Sequence, residues 1–232
     1  MTGGRAGVPL GGPGKPTPTH QNTEPAAPLF LLGRFLFRVF FRLANRWQVT
    51  GREQVPETGG VLLIANHTSY ADPPIVGSAC PRPVHFMAKA ELFRIPILGF
   101  LIKRTHAFPV KRGGSDMAAL RRGVRLLKEG KVLLIFPEGT RSPDGKMLPL
   151  ETGAAFIALS SGAQVVPVGV DGADRVLPPG SPIVRPARLR VAFGPPLHLN
   201  DLSGGRVTRE AMQLATDRMA AALRQLLPES RW

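Results

Sequence analysis

The sequence predicts an α/β fold: a central, mostly parallel sheet of six or seven strands flanked by helices and preceded by an amphipathic membrane-interface helical segment. Three observations carry this expectation. Short aliphatic runs bounded by turn formers recur along the chain, helical stretches separate them, and a phenylalanine-rich segment with regularly spaced arginines stands ahead of the first run. A chain of 232 residues is long enough for one domain with a sizeable core, and no internal repeat is visible.

Residues 1–28 hold six Gly and six Pro with almost no large apolar side chains. Such a composition cannot offset the entropy of ordering, so this stretch is expected to be a flexible tail. The basic segment and apolar run that mark a signal peptide are missing from it, so it is expected to be neither exported nor cleaved.

Residues 29–47 contain Phe30, Phe35, Phe37, Phe40 and Phe41, five of the twelve phenylalanines. Arg34, Arg38 and Arg42 recur every four residues, which on a helix makes one narrow basic stripe opposite a broad Leu/Phe face. A spanning helix needs roughly 20 mostly apolar residues, and here arginine interrupts every turn. The segment is therefore expected to lie on a membrane rather than cross it, although an ordinary amphipathic helix packed on its own domain shares the pattern.

Residues 48–200 read as the catalytic domain. Strands are predicted at Gly60–Ala65, Val84–Ala88, Ala107–Val110, Lys131–Phe136, Gln164–Val170 and Arg188–Phe193. Helices are predicted over Ser115–Glu129, capped by Ser115 and stopped by Gly130, and over Thr152–Ser161. Residues 201–232 are expected to complete the domain with a helix over Thr208–Leu227, ended by Pro228.

Thirty Lys and Arg against sixteen Asp and Glu give a formal charge of +14. Such a surplus favours polyanionic partners, but does not choose among nucleic acid, anionic lipid, substrate phosphates and an acidic carrier protein. Cys80 is the single cysteine, which excludes an internal disulfide and a zinc site with the usual paired cysteines, and fits a reducing compartment.

After the run Val61–Ala65 comes Asn66-His67-Thr68-Ser69-Tyr70-Ala71-Asp72-Pro73, polar side chains placed just past a strand's carboxyl end, where α/β proteins build their sites. On a straight helix, residues five apart lie well round from each other. A bond between His67 and Asp72 thus requires His67 in the turn and Asp72 on the following segment. Asp72 would then fix the tautomer and stabilise the imidazolium, leaving the other ring nitrogen to take a proton from a hydroxyl. A His-x₄-Asp spacing is common by chance, and a capping role for both residues is the alternative. A second polar cluster, Phe136-Pro137-Glu138-Gly139-Thr140-Arg141-Ser142, follows the run Lys131–Ile135, and two strand-end clusters can share one cleft.

Together these two blocks resemble the glycerolipid acyltransferase family, of the PlsC-like 1-acyl-sn-glycerol-3-phosphate type. Gly99-Phe100-Leu101-Ile102-Lys103-Arg104 and Val166-Pro167-Val168 are similar to two further blocks of that family, and the four stand in its order. The resemblance covers roughly residues 30–200. It implies an acyl group moved from acyl-CoA or acyl carrier protein to the sn-2 hydroxyl of lysophosphatidic acid, giving phosphatidic acid in phospholipid biosynthesis. It implies His67 as base, Asp72 as its orienting partner, no covalent acyl-enzyme, no metal and no cofactor beyond the acyl donor. Arg141 looks like the family's phosphate-binding arginine, a role that suits a guanidinium fork. Glu138, Gly139 and Thr140 resemble residues that shape the acceptor pocket, with Glu138 holding Arg141 or accepting a substrate hydroxyl. Lys103, Arg104 and, with less support, Lys89 are further candidates for the phosphate.

The expected partners are an anionic phospholipid membrane, lysophosphatidic acid and the acyl donor, with no nucleic acid, at the cytoplasmic face of the cell membrane as a peripheral or monotopic protein. The sequence departs from the family at Glu151, where lysine is common shortly after the third block, and at Lys103-Arg104, where an acidic-basic pair is common. Another acceptor (glycerol 3-phosphate, a different lysophospholipid or a lyso-amino-acid lipid) stays open, as does a non-catalytic basic membrane-binding protein. His20, His85, His106 and His198 lack a telling acidic neighbour and are expected to be structural or exposed. Neither Ser69 nor Cys80 sits in a motif that would activate a nucleophile.

Overall fold

The computed structural model describes residues 28–110, 116–178, 180–181, 183–202 and 206–232. The expected tail, but for Pro28, and the Ser115 cap lie outside the described residues. Helix α1 (Pro28–Ala44) leads into β1 (Gln48–Thr50), β2 (Val61–Ala65), α2 (Asp72–Ala79), β3 (Val84–Lys89), α3 (Pro96–Arg104) and β4 (Ala107–Val110). There follow α4 (Met117–Lys128), β5 (Val132–Ile135), α5 (Gly153–Ser161), β6 (Gln164–Asp171), α6 (Ala173–Val176), β7 (Arg190–Phe193) and α7 (Arg209–Leu226).

The seven strands form one sheet in the order β1-β7-β6-β2-β5-β3-β4. Every neighbouring pair is parallel except β6 with β7. β2 and β5 read as unbroken apolar runs because both faces of a parallel sheet are covered. All five residues of β2 and all four of β5 are buried. Alternation then sorts the side chains. Val61, Leu63 and Ala65 join Phe41, Ile75 and Val76 on one face, while Leu62 and Ile64 join Ile157, Met219 and Leu223 on the other.

Helix ends follow local chemistry. Asp116 caps α4, its Oδ1 accepting from the Ala119 N–H at 3.0 Å, and Gly130 at φ +78° follows the helix end. Thr208 caps α7 from just outside the helix, its Oγ1 accepting from the Ala211 N–H at 3.1 Å. Four elements escape a reading of the sequence, among them the four-residue α6. α2 carries Pro73-Pro74 in its first turn and α3 begins on Pro96; these read as turns but suit the first turn of a helix, where an N–H has no partner to lose. β1 is only three residues long. The predicted strand start at Arg188 is corrected to Arg190, because the Leu189 N–H donates to Asn45 at the end of α1 rather than to a ladder.

Helix α1 packs one face on the domain. Arg38 donates from Nε to the Ser78 carbonyl of α2 at 2.7 Å, and Phe41 is buried in the core. This part of the arginine stripe faces the domain, and Leu32, Leu36, Val39 and Leu43 point outward, Leu43 at 82 % exposure. No helix among the described residues is long and apolar enough to cross a membrane.

Candidate active site

β2 and β5 are neighbours and parallel, so the segments leaving their carboxyl ends emerge side by side. The His67 turn and the Pro137–Ser142 loop therefore meet. Asn66 fixes the first of them to the sheet: its amide donates to the Val170 carbonyl at 2.9 Å and its oxygen accepts from the Val170 N–H at 2.8 Å. Both bonds are buried, so the end of β2 and the end of β6 cannot drift apart without leaving unpaired polar groups.

His67 is 5 % exposed and Asp72 fully buried. Nδ1 of His67 and Oδ2 of Asp72 are 2.9 Å apart. The five-residue separation closes because His67 lies in the turn and Asp72 is the first residue of α2. The same Oδ2 accepts from the Thr68 N–H at 2.7 Å and the Ser69 N–H at 2.8 Å. Those two amides serve the carboxylate and are not available to an oxyanion. With Nδ1 taken by Asp72, Nε2 is the ring nitrogen left for a substrate. One face of the imidazole stacks on Phe136, ring centroids 4.1 Å apart, so the ring is held in plane by packing as well as by its partner.

Glu138 is 4 % exposed and faces backbone on both sides. Oε1 accepts from the His67 N–H at 2.7 Å and Oε2 from the Leu148 N–H at 2.8 Å. Burial pushes its carboxyl up to about 7 against the pull of those two amides, and the nearby Asp72 charge pushes the same way. Its two oxygens thus hold the His67 turn and the far end of its own loop, not Arg141. A second tie runs from the Ser142 N–H to the His67 carbonyl at 2.8 Å. Gly139 has φ +68°, and a Cβ there would run into the Glu151 carboxylate. Glu151, where the family often carries lysine, is thereby packed against the motif glycine, and its N–H donates to the Pro137 carbonyl at 2.8 Å.

Arg141 places its guanidinium over the ring of Tyr70, 3.5 Å from the centroid. Tyr70 lies in the His67 turn and is exposed, so the half-buried Arg141 stacks on His67's own loop, and among the described residues it pairs with no carboxylate. Thr140, exposed, sits between Gly139 and Arg141 in the same loop. Lys103 and Arg104 end α3, on the segment after β3, two strands removed from β2. Arg104 lies over Phe100 at 4.3 Å, and Lys89 pairs with Glu91 at 3.6 Å on the surface. No hydrogen bond or ion pair among the described residues joins these three to the His67 site. His85 and His106 pack against each other, ring centroids 4.9 Å apart, away from the motif loops. Among the described residues no group of three or more His, Cys, Asp and Glu side chains gathers in a way that would hold a metal ion.

The sequence did not reveal Asn66, Phe136, Ser142 and Leu148 as supports of the site. Asn66, Phe136 and Ser142 do stand at the ends of the two polar clusters, which was the one signal available.

A mostly parallel sheet with a buried His–Asp pair in a turn and an arginine-bearing loop beside it forms the candidate site of a transferase. The Acyltransferase family model matches residues 46–171, more than half the chain, and the chain belongs to that family. It is 31 % identical over 167 residues to the 1-acyl-sn-glycerol-3-phosphate acyltransferase of Bacillus subtilis, covering 72 % of this chain and 81 % of that one. It is 32 % identical over 154 residues to LPAT1, the chloroplastic 1-acyl-sn-glycerol-3-phosphate acyltransferase of Arabidopsis thaliana, of which it spans only 43 %. Among solved structures it is similar to the 1-acyl-sn-glycerophosphate acyltransferase PlsC from Thermotoga maritima, with TM-score 0.66 and 27 % identity over 85 % of this chain and 79 % of that one.

Proposed function

We propose that this chain transfers a fatty acyl group from a thioester donor, acyl-CoA or acyl carrier protein, to the sn-2 hydroxyl of 1-acylglycerol 3-phosphate, giving phosphatidic acid. The observation that carries the reading is the His67–Asp72 pair, oriented on one ring nitrogen and open on the other. Nε2 takes the hydroxyl proton as that oxygen attacks the thioester carbonyl; the tetrahedral adduct collapses, and the departing thiolate takes the same proton back from His67. Asp72 keeps the tautomer correct and offsets the charge of the imidazolium. The acceptor in the relatives' names supports this choice, and a guanidinium stacked on Tyr70 in the turn that bears His67 supports binding of its phosphate through Arg141.

α1 serves as the membrane contact in this reading. The outward stripe Leu32, Leu36, Val39 and Leu43 repeats at helical spacing, and the domain covers only the opposite face. Acyl chains then reach the site from the bilayer rather than through water. The net charge of +14 draws anionic lipid. This reading puts the reaction at the cytoplasmic face of the membrane, because acyl-CoA and acyl carrier protein are found there.

Labelled acyl-CoA and acyl carrier protein, each offered with lysophosphatidic acid in liposomes, test the proposal with the native chain and His67→Ala side by side. Phosphatidic acid from the native chain alone is expected. Product on glycerol 3-phosphate or another lysophospholipid, with none on lysophosphatidic acid, moves the acceptor and keeps the chemistry; equal product from both chains removes His67 as the base.

A further inference from the structure

The segment Glu138–Leu148 carries Arg141 and is tied to His67 at two points, through Ser142 and through Glu138 with Leu148. Between those ties its outer bend is held by the chain's last turn. The Met147 N–H donates to the Arg231 carbonyl at 2.7 Å, and Nη1 of Arg231 donates to the Gly145 carbonyl at 3.3 Å. The Arg231 side chain is itself fixed. Its guanidinium meets both oxygens of Asp174 at 2.9 Å, in fork geometry, and its Nε donates to Oδ1 of Asp171 at 3.1 Å. It is 12 % exposed, so the cluster is largely shielded from water and salt.

Asp171 ends β6, one residue beyond the Val170 that Asn66 holds. The same strand end therefore anchors the turn that bears His67, through Asn66, and the loop that bears Arg141, through Asp171 and Arg231. Gly145 has φ +79° and no room for a Cβ beside the Arg231 guanidinium, so loop and arginine are fitted to each other. Asp144 stiffens the same bend from within, its Oδ1 accepting from Ser142 Oγ at 2.9 Å and from the Lys146 N–H at 3.0 Å.

We infer that Arg231, sixty residues beyond the family match, is a positioning residue for acceptor binding: it holds the Glu138–Leu148 loop so that Arg141 stands at a fixed place relative to His67. The inference rests on the proposed role of Arg141. Arg231 touches no reacting atom in this account. Its loss lets the outer bend swing while the His67–Asp72 pair, tied independently, keeps its geometry. The effect falls on the acceptor and not on the donor.

Steady-state kinetics on Arg231→Ala, Arg231→Lys and Asp174→Asn test this, with acyl-CoA and lysophosphatidic acid varied separately and the thermal midpoint of each variant recorded. Arg231→Ala is expected to raise the acceptor KM by about tenfold or more, as a displaced binding group does, with the donor KM within about twofold. Arg231→Lys keeps the charge without the fork and should fall between. Asp174→Asn removes one arm of the clamp with little change of shape, so it reports even if Arg231→Ala fails to fold. Acceptor and donor KM rising together, or an unmoved acceptor KM in folded Arg231→Ala or Asp174→Asn, overturns the inference. Arg141→Ala measured beside them separates the two failures: an unmoved acceptor KM there removes the phosphate role of Arg141, whereas a rise there with none at Arg231 removes the positioning role alone.

Discussion

Oε1 of Glu138 lies 2.7 Å from the backbone nitrogen of His67, so the glutamate of one motif holds the main chain of the other. This bond converts two strand-end loops into one site. Glu138→Gln keeps the shape but turns an NH₂ toward one of the two backbone N–H donors, leaving a buried donor without an acceptor at a cost of about 1–3 kcal/mol. The expected result is a kcat lowered by about ten- to a hundredfold, with Glu138→Ala worse. Initial rates at saturating acceptor and donor measure it, and full activity in Glu138→Gln would remove the strap from the account.

Asp72 accepts three N–H groups on one oxygen, and only one of them belongs to His67. Asp72→Asn should therefore damage both rate and fold, whereas His67→Ala should damage rate far more than fold. Loss of about 10²–10⁴ in kcat is expected from His67→Ala, the usual contribution of a general base. Circular-dichroism melts run beside the rates distinguish the two variants: a thermal midpoint that drops for Asp72→Asn and holds within a few degrees for His67→Ala.

Burial raises the Glu138 carboxyl from an ordinary 4.5 to about 7. Between those values the folded chain binds more protons than the unfolded one, so this group makes stability fall as pH rises through that window. Denaturant unfolding at pH 5 and pH 7.5 should show the native chain losing about 2 kcal/mol more than Glu138→Gln, which has no such group to ionise. Parallel losses in both proteins would contradict the raised value.

Asn66→Ala strips both partners from Val170 in a dry site. Two buried backbone groups then lack bonds, and a loss of roughly 2–4 kcal/mol is expected. Asn66→Asp restores only an acceptor and should recover little. Chemical unfolding reads both, and a variant within about 0.5 kcal/mol of native, the range of ordinary surface changes, would show that the β2–β6 tie is dispensable.

Leu36→Glu with Leu43→Glu places charge in the middle of the outward face of α1 while leaving Phe41 and Arg38 on the domain. Binding to anionic vesicles, followed by flotation, should fall steeply, with the melting midpoint unchanged. Unaltered flotation would mean that another surface holds the membrane.

The sequence by itself determined the sheet, because unbroken aliphatic runs such as Val61–Ala65 have no stable place except between two covered faces. It also suggested the chemistry proposed here, because the two blocks that hold His67, Asp72 and Arg141 resemble those of a known family. It left α2 and α3 unread, since Pro73, Pro74 and Pro96 look like breaks until they are seen in the first turn of a helix. Only the tertiary structure decided which way Glu138 points. Nothing local distinguishes a carboxylate aimed at a substrate from one aimed at a neighbouring main chain; the adjacency of β2 and β5 brings the His67 amide within reach. It alone turned Arg38 inward, because the Ser78 carbonyl at the end of α2 offers a partner that no periodicity records. And it alone brought Arg231 to Gly145, since contacts between residues 86 apart depend on how α7 returns across the sheet, a matter of packing and not of local propensity.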